Sequence, residues 1–200
     1  MKLIIISLFI CLTNIIFSQN DSIKRNNISI KTCISSLHVP YVGRSLRIGF
    51  EYNIRANYSL EHEIGLFFDN STGSIFRTDI KKYLTGGNNV NYISLDLFYK
   101  NQKYSNADSI YGVLKQYTVN KKVETFSLKY GKIIRYKSGF LLDFYCGIGI
   151  RFQQNKNSLS SNDNQHLPTL YDYNTNWILN KEQNRIYPNL LAGLKIGYQF

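Results

Sequence analysis

Beyond residue 17 the chain has no long apolar run, and it holds only three prolines, one tryptophan, three cysteines and three histidines in 200 residues. Acidic side chains are scarce too, 13 against 24 basic ones. Each shortage excludes something. A membrane-spanning helix needs roughly 20 predominantly apolar residues, and no segment after Phe17 supplies them. Few prolines leave extended segments uninterrupted. His38, His62 and His166 are scattered, and no His/Cys set shows ligand spacing, so no metal or other cofactor is expected. Cys11 falls in the first apolar segment, while Cys33 and Cys146 fall on non-adjacent strands and opposite faces of a sheet. A disulfide is therefore not expected, and each cysteine reads as a small apolar side chain.

What is present begins with an export pattern. Lys2 is followed by an apolar stretch from Leu3 to Phe17 and then by the polar exit Ser18-Gln19-Asn20. A charged start, a short apolar core and a small-residue exit mark a secretory signal. A cleaved signal peptide is expected over residues 1–19, and one domain over residues 20–200.

That remaining stretch is rich in aromatics, with sixteen tyrosines and twelve phenylalanines in the chain, and it alternates. Eight segments set apolar residues against polar or small ones: 28–37, 45–54, 58–68, 74–84, 90–100, 123–135, 140–152 and 188–200. Strict alternation is the signature of a strand with two unlike faces. The last segment is the clearest, with Leu190, Ala192, Leu194, Ile196, Tyr198 and Phe200 on one face. Gly193 and Gly197 spell G-x-x-x-G, but that pairing belongs to apolar helices. Gly147-Ile148-Gly149 lies within a strand, so it is no phosphate loop. If the first strand starts in the periplasm, the inward gaps are the tight ones, and residues 101–122 and 153–187 form long outward loops. Tight turns inside and longer loops outside are the pattern of outer-membrane barrels. Lacking apolar helices, such a chain crosses lipid only as a closed ring of strands with no unpaired edge.

The stretches SLRIGFEY, SLEHEIGLFF, FSLKYG, FLLDFYCGIGIRF and PNLLAGLKIGYQF resemble the strands of small barrels of the OmpA/OmpX type. They are closer still to an uncharacterised barrel family of the Bacteroidota. The resemblance covers about a quarter of the chain and implies an all-β fold: a closed antiparallel up-and-down transmembrane β-barrel of eight strands. It implies the outer membrane of a Gram-negative bacterium as the location, and no catalytic residue. The terminal aromatics Tyr198 and Phe200 correspond to the assembly signal of such barrels, read by the barrel assembly machinery.

The polar face of the strands carries charges of both signs. Arg47, Arg77, Lys81, Lys129, Arg151 and Lys195 stand against Glu51, Glu61, Glu63, Asp79, Asp96 and Asp143. Such groups are expected to face the interior and pair there, because an Arg or Lys at the lipid midplane costs about 2–4 kcal/mol. Eight strands enclose a space that side chains just fill, so the interior is expected to be plugged. His62 sits between Glu61 and Glu63, but neighbours in a strand point to opposite faces, which places His62 on the greasy face near a membrane rim.

The formal net charge of +11 suggests nucleic acid until the export signal is considered. The surplus falls largely in the two long gaps, as Lys103, Lys115, Lys121, Lys122, Lys156, Lys181 and Arg185, where it would attract anionic lipopolysaccharide. Outer-membrane lipid, lipopolysaccharide and a surface partner or glycan are thus the expected partners, and nucleic acid is not. His166, Leu167, Tyr171, Tyr173 and Trp177, aromatic or apolar among polar neighbours, suit contact with such a partner. The functional expectation is a structural or surface-interaction barrel without catalysis. A narrow channel and a lipid-modifying enzyme remain as alternatives.

Overall fold

The computed structural model describes residues 28–34, 44–55, 57–68, 71–86, 88–167 and 181–200. The expected signal segment, His38 and the aromatics Tyr171, Tyr173 and Trp177 lie outside them. Among the described residues the fold is all-β, with eight strands: β1 (Ile28–Cys33), β2 (Ser45–Arg55), β3 (Tyr58–Phe67), β4 (Ser71–Tyr83), β5 (Asn89–Ile110), β6 (Val113–Arg135), β7 (Phe140–Asn157) and β8 (Gln183–Gln199). Each is antiparallel to the next. The last returns to the first through Ile30↔Tyr198 and Thr32↔Ile196, so the sheet closes in a ring. Closure gives every strand two partners.

The strand count agrees with the alternation, but the extents differ. Residues 101–122 are not a loop: β5 and β6 continue as one hairpin, paired from Asn89↔Ile134 up to Ile110↔Val113. Tyr111 (φ 54°) and Gly112 (φ 75°) both take left-handed backbone at its tip, the requirement of a two-residue hairpin turn. The long second gap also shrinks, because β7 runs on to Asn157 and β8 begins at Gln183. The outward side of this upper hairpin carries Asn101, Lys103, Asn120 and Lys122, so its alternation lacks the greasy face that marks the lower strands. Its inward side is covered where Ile110, Tyr117 and Val119 pack with Leu167. A short helix, α1 (Ser161–Gln165), leads into Leu167, its first turn capped by the Ser160 hydroxyl accepting from the Asp163 N–H at 3.2 Å.

The three tight turns and both ends of the ring (Ile28 and Phe200) lie together at one end, called lower here; the hairpin tip and α1 lie at the other. Two cross-strand pairs explain how the lower interior fits large rings. Tyr92 lies over its register partner Gly131, and Tyr145 over Gly193. A Cβ at either glycine would sit 2.3 Å from the tyrosine. The rings lie flat on the neighbouring strand and send their hydroxyls to the centre. With Val90, Ile133 and Leu141 they form the apolar floor of the interior.

Candidate functional site

Alternation around a closed ring sends one face of every strand inward, and the inward face is where the charges are. Lys31 of β1 and Lys81 of β4 share three carboxylates contributed by β2, β3 and β7. Lys31 pairs with Glu51, with Asp143 at 2.8 Å and with Glu61 at 3.3 Å. Lys81 meets Glu61 at 2.6 Å, Asp143 at 3.0 Å and Glu51 at 3.1 Å. Above them Lys195 pairs with Glu61, with Glu63 at 3.0 Å and with Asp79 at 3.7 Å. Lys129 pairs with Asp79 and lies 3.4 Å from Asp96. Arg77 donates from Nε to Asp96 at 2.8 Å, and its Nη1 lies 4.0 Å from Glu63. Arg47, the most exposed member, reaches Glu63 at 3.6 Å. Six carboxylates and six cations thus form one connected, charge-balanced network.

Hydroxyls and rings complete it. Glu51 accepts from Ser59 at 2.5 Å and from Tyr83, and Asp143 accepts from Tyr92 at 2.7 Å. Arg77 donates to the Tyr145 hydroxyl at 3.3 Å. The Lys81 ammonium stands 4.7 Å from the Tyr92 ring centre and Lys129 4.9 Å from that of Tyr145, within range for a cation–π contribution. Glu51, Glu61 and Asp143 converge within 4.8 Å of one another, the one such cluster among the described residues. Two ammonium groups already serve those oxygens, so the cluster is an ion-pair knot rather than an empty ligand set. Its members are buried, Asp143 completely; a substrate would have to displace the knot to reach them.

The sequence-derived interior set is therefore brought together, with one exception and one omission. Arg151 faces inward but stands apart from the network, donating to Gln153 at 2.9 Å instead; it lies too far up β7 to meet the acids. Lys31 was not in the set, although it neutralises three of its acids. Ser29, Lys31 and Cys33 do alternate with Ile28 and Ile30, a signal shortened by the early end of β1. Cys33 is buried and Cys146 exposed, both as free thiols.

His62 faces outward, away from Glu61 and Glu63, as its strand position requires. It is not at a rim: it sits mid-strand between Phe50 and Thr78 in the ladder, and Nδ1 lies 3.1 Å from the Thr78 hydroxyl. Thr78 is the partner that spacing along the sequence does not reveal. Tyr198 and Phe200 pack edge to face, 5.2 Å between ring centres, on the outward side at the lower end.

Of the surplus cations, Lys121 and Arg185 are inward-facing strand residues rather than loop residues. Lys115 bridges to Asp163 beside α1 at 2.6 Å, and hydrogen bonds from Lys115 and Ser160 hold the Asp163 carboxyl below its ordinary range. On the same hairpin, burial and a hydrogen bond to Asp108 push the Tyr117 phenol up. His166 stacks on Tyr111, 4.6 Å between ring centres. Among the described residues, the upper hairpin and α1 are thus folded against one another.

Removing one member of the knot strands its partners. Asp143→Leu is expected to destabilise the fold by about 3–5 kcal/mol, although leucine is the more apolar residue. Leu142→Met, one residue away on the outward face, should cost less than about 1.5 kcal/mol. Denaturant unfolding of the two variants checks this, and equal stabilities would show that the network does not hold the interior.

Comparison with family models, with curated proteins and with solved structures finds no match to this chain, so its function has to be read from its own geometry.

Proposed function

We propose that the ring is a β-barrel spanning the outer membrane of a Gram-negative bacterium, reached by way of a cleaved signal peptide. Its role there is structural or one of surface interaction, without catalysis. The observation that carries this reading is the inverted polarity of the sheet. Lysines 31, 81, 129 and 195 are buried, while Leu46, Phe50, Ile64, Phe76, Leu97, Phe126, Ile148, Leu190 and Phe200 stand exposed around the outside. Water as the surrounding solvent would favour the opposite arrangement, since soluble proteins rarely expose contiguous apolar patches larger than a few hundred Å². Hydrocarbon favours this one.

The dimensions agree. On β7 the outward face is apolar from Phe140 to Phe152 and polar beyond, at Gln154 and Lys156. That stretch runs roughly 40 Å along the strand at ~3.3 Å per residue, and a strand tilted by about 45° would rise about 28 Å over it. The apolar band of outer-membrane barrels is ~25 Å tall. Aromatics gather at the lower edge as Tyr58, Tyr136, Phe140, Tyr198 and Phe200, where an interfacial girdle would lie. The tight turns would then face the periplasm, and the long hairpin, α1 and the following segment would face outward. Lys103, Lys122 and Lys156 lie on the outer faces of the upper strands, where they would attract anionic lipopolysaccharide, and the upper end would be the surface open to a partner or glycan. The ion-pair knot closes the interior, which favours this role over a channel.

The mature chain is expected to fractionate with the outer membrane and to migrate faster on gels when unheated, because a closed barrel resists unfolding by detergent. Recovery from the soluble periplasm would overturn the reading, and a large steady current in planar bilayers would favour a channel instead.

Tyr198 and Phe200 are proposed as the assembly signal recognised by the barrel assembly machinery. Phe200→Asp is expected to cause periplasmic aggregation or degradation, whereas Gln199→Asp, on the inward side, is expected to be milder. Immunoblots of membrane fractions decide the matter, and equal losses would contradict the assignment.

A further inference from the structure

The outer surface of the ring carries a groove where the apolar band ends. Its volume is about 430 Å³, and Lys122, Glu124, Phe152, Gln154, Asn184 and Ile186 of β6, β7 and β8 are among its walls. Register sorts these six into two rows. Lys122, Gln154 and Asn184 stand level with one another, and Glu124, Phe152 and Ile186 form the row beneath. The next row down, Phe126, Ile150 and Pro188, is wholly apolar. β6 descends from the hairpin tip, so the ammonium lies above and the carboxylate below. Residues two apart on a strand share a face and stand roughly 7 Å apart. Both groups are exposed, yet Lys122 and Glu124 form no ion pair with each other or with another described residue.

We propose that this groove binds a phosphate-bearing lipid whose acyl chain is amide-linked. The inference rests on the membrane reading, which sets the groove at the outer edge of the hydrocarbon. There a lipid of the outer leaflet stands with its phosphate up and its chains down. The phosphate meets Lys122 in a charge-assisted contact, with the side-chain amides of Gln154 and Asn184 as neutral donors beside it. The chain lies over Phe152 and Ile186 and continues down past Phe126 and Ile150. Glu124 decides between lipids, because an ionised carboxylate only accepts hydrogen bonds. An ester-linked glycerophospholipid presents acceptor oxygens at that depth, and Glu124 repels them. An amide-linked lipid presents an N–H there, with an O–H beside it where the chain or base is hydroxylated, and Glu124 accepts from these. A site built to hydrogen-bond such a group rejects the analogue that lacks it. Attraction of surface lysines to an anionic membrane makes no such choice.

The test compares ceramide 1-phosphate with phosphatidic acid of matched chain length. Both end in a phosphate monoester, and only the first carries amide and hydroxyl donors beneath it. Flotation of the full chain with phospholipid vesicles, scored first, tests the membrane reading by itself. The full chain in detergent micelles is then titrated with each lipid while its thermal midpoint is followed. Ceramide 1-phosphate is expected to raise the midpoint saturably, as a ligand of the folded state does. It should bind about tenfold or more tighter than phosphatidic acid, the worth of one hydrogen bond to a charged acceptor. Glu124→Leu should erase the difference between the two lipids, whereas Lys122→Gln should weaken both. The comparison of lipids on the native chain stands without either variant. In a chain that floats with vesicles, equal affinity for the two lipids, no saturable effect of ceramide 1-phosphate, or a preference that survives Glu124→Leu overturns this proposal and leaves the membrane reading in place.

Discussion

The ammonium groups of Lys31 and Lys81 meet the carboxylates of Glu51, Glu61 and Asp143 at the centre of the ring, and these five side chains come from β1, β4, β2, β3 and β7. No two adjacent strands could assemble this knot alone. Lys195 draws in β8, Asp96 draws in β5 and Lys129 draws in β6, so every strand contributes at least one charge. Each group is costly to bury until its partners arrive. The pairing is therefore satisfied as a whole when the ladder closes, and in part it penalises any arrangement in which a strand is missing or shifted. A slip of one residue would turn every inward charge outward.

The outer face follows from the same alternation. With charge committed to the interior, the remaining face of the lower part of the strands is left largely apolar, and in the proposed setting lipid covers it. The outward polar pair His62 and Thr78 satisfies itself by a side-chain contact. The interior also has to be filled, and the tyrosines do this by lying on glycines of the adjacent strand. Tyr92 thereby delivers a hydroxyl to Asp143 and Tyr145 one to Arg77. Packing and charge pairing are served by the same residues.

Most of this arrangement is legible in the chain because a period of two is unambiguous where one face is greasy. Leu46, Ile48, Phe50 and Tyr52 against Arg47, Gly49 and Glu51 locate β2 and its inward side without any structure. The signal fades where the outer face turns polar, which is why residues 101–122 read as a loop although they form a hairpin. Which charges would be interior could be read from alternation. Which would pair could not, since pairing depends on height across a closed sheet. Arg151 shows the limit: its face is as expected, but it stands above the acids of the network and donates to Gln153. Lys31 shows the converse, a short strand whose one inward lysine completes the knot. Thr78 is identified as the partner of His62 only by the register that sets the two side by side.

The central claim is that adjacent residues of one strand face lipid and a sealed polar interior in turn. Nitroxide labels placed singly at Thr125, Phe126, Ser127, Leu128 and Tyr130 of β6, in the chain folded into phospholipid vesicles, test it directly. Collision with molecular oxygen, which concentrates in hydrocarbon, should be frequent at Phe126, Leu128 and Tyr130 and rare at Thr125 and Ser127. A water-soluble nickel chelate should reach none of the five. Ready access of the chelate to Phe126, Leu128 and Tyr130, or the absence of alternation along the strand, would contradict the account.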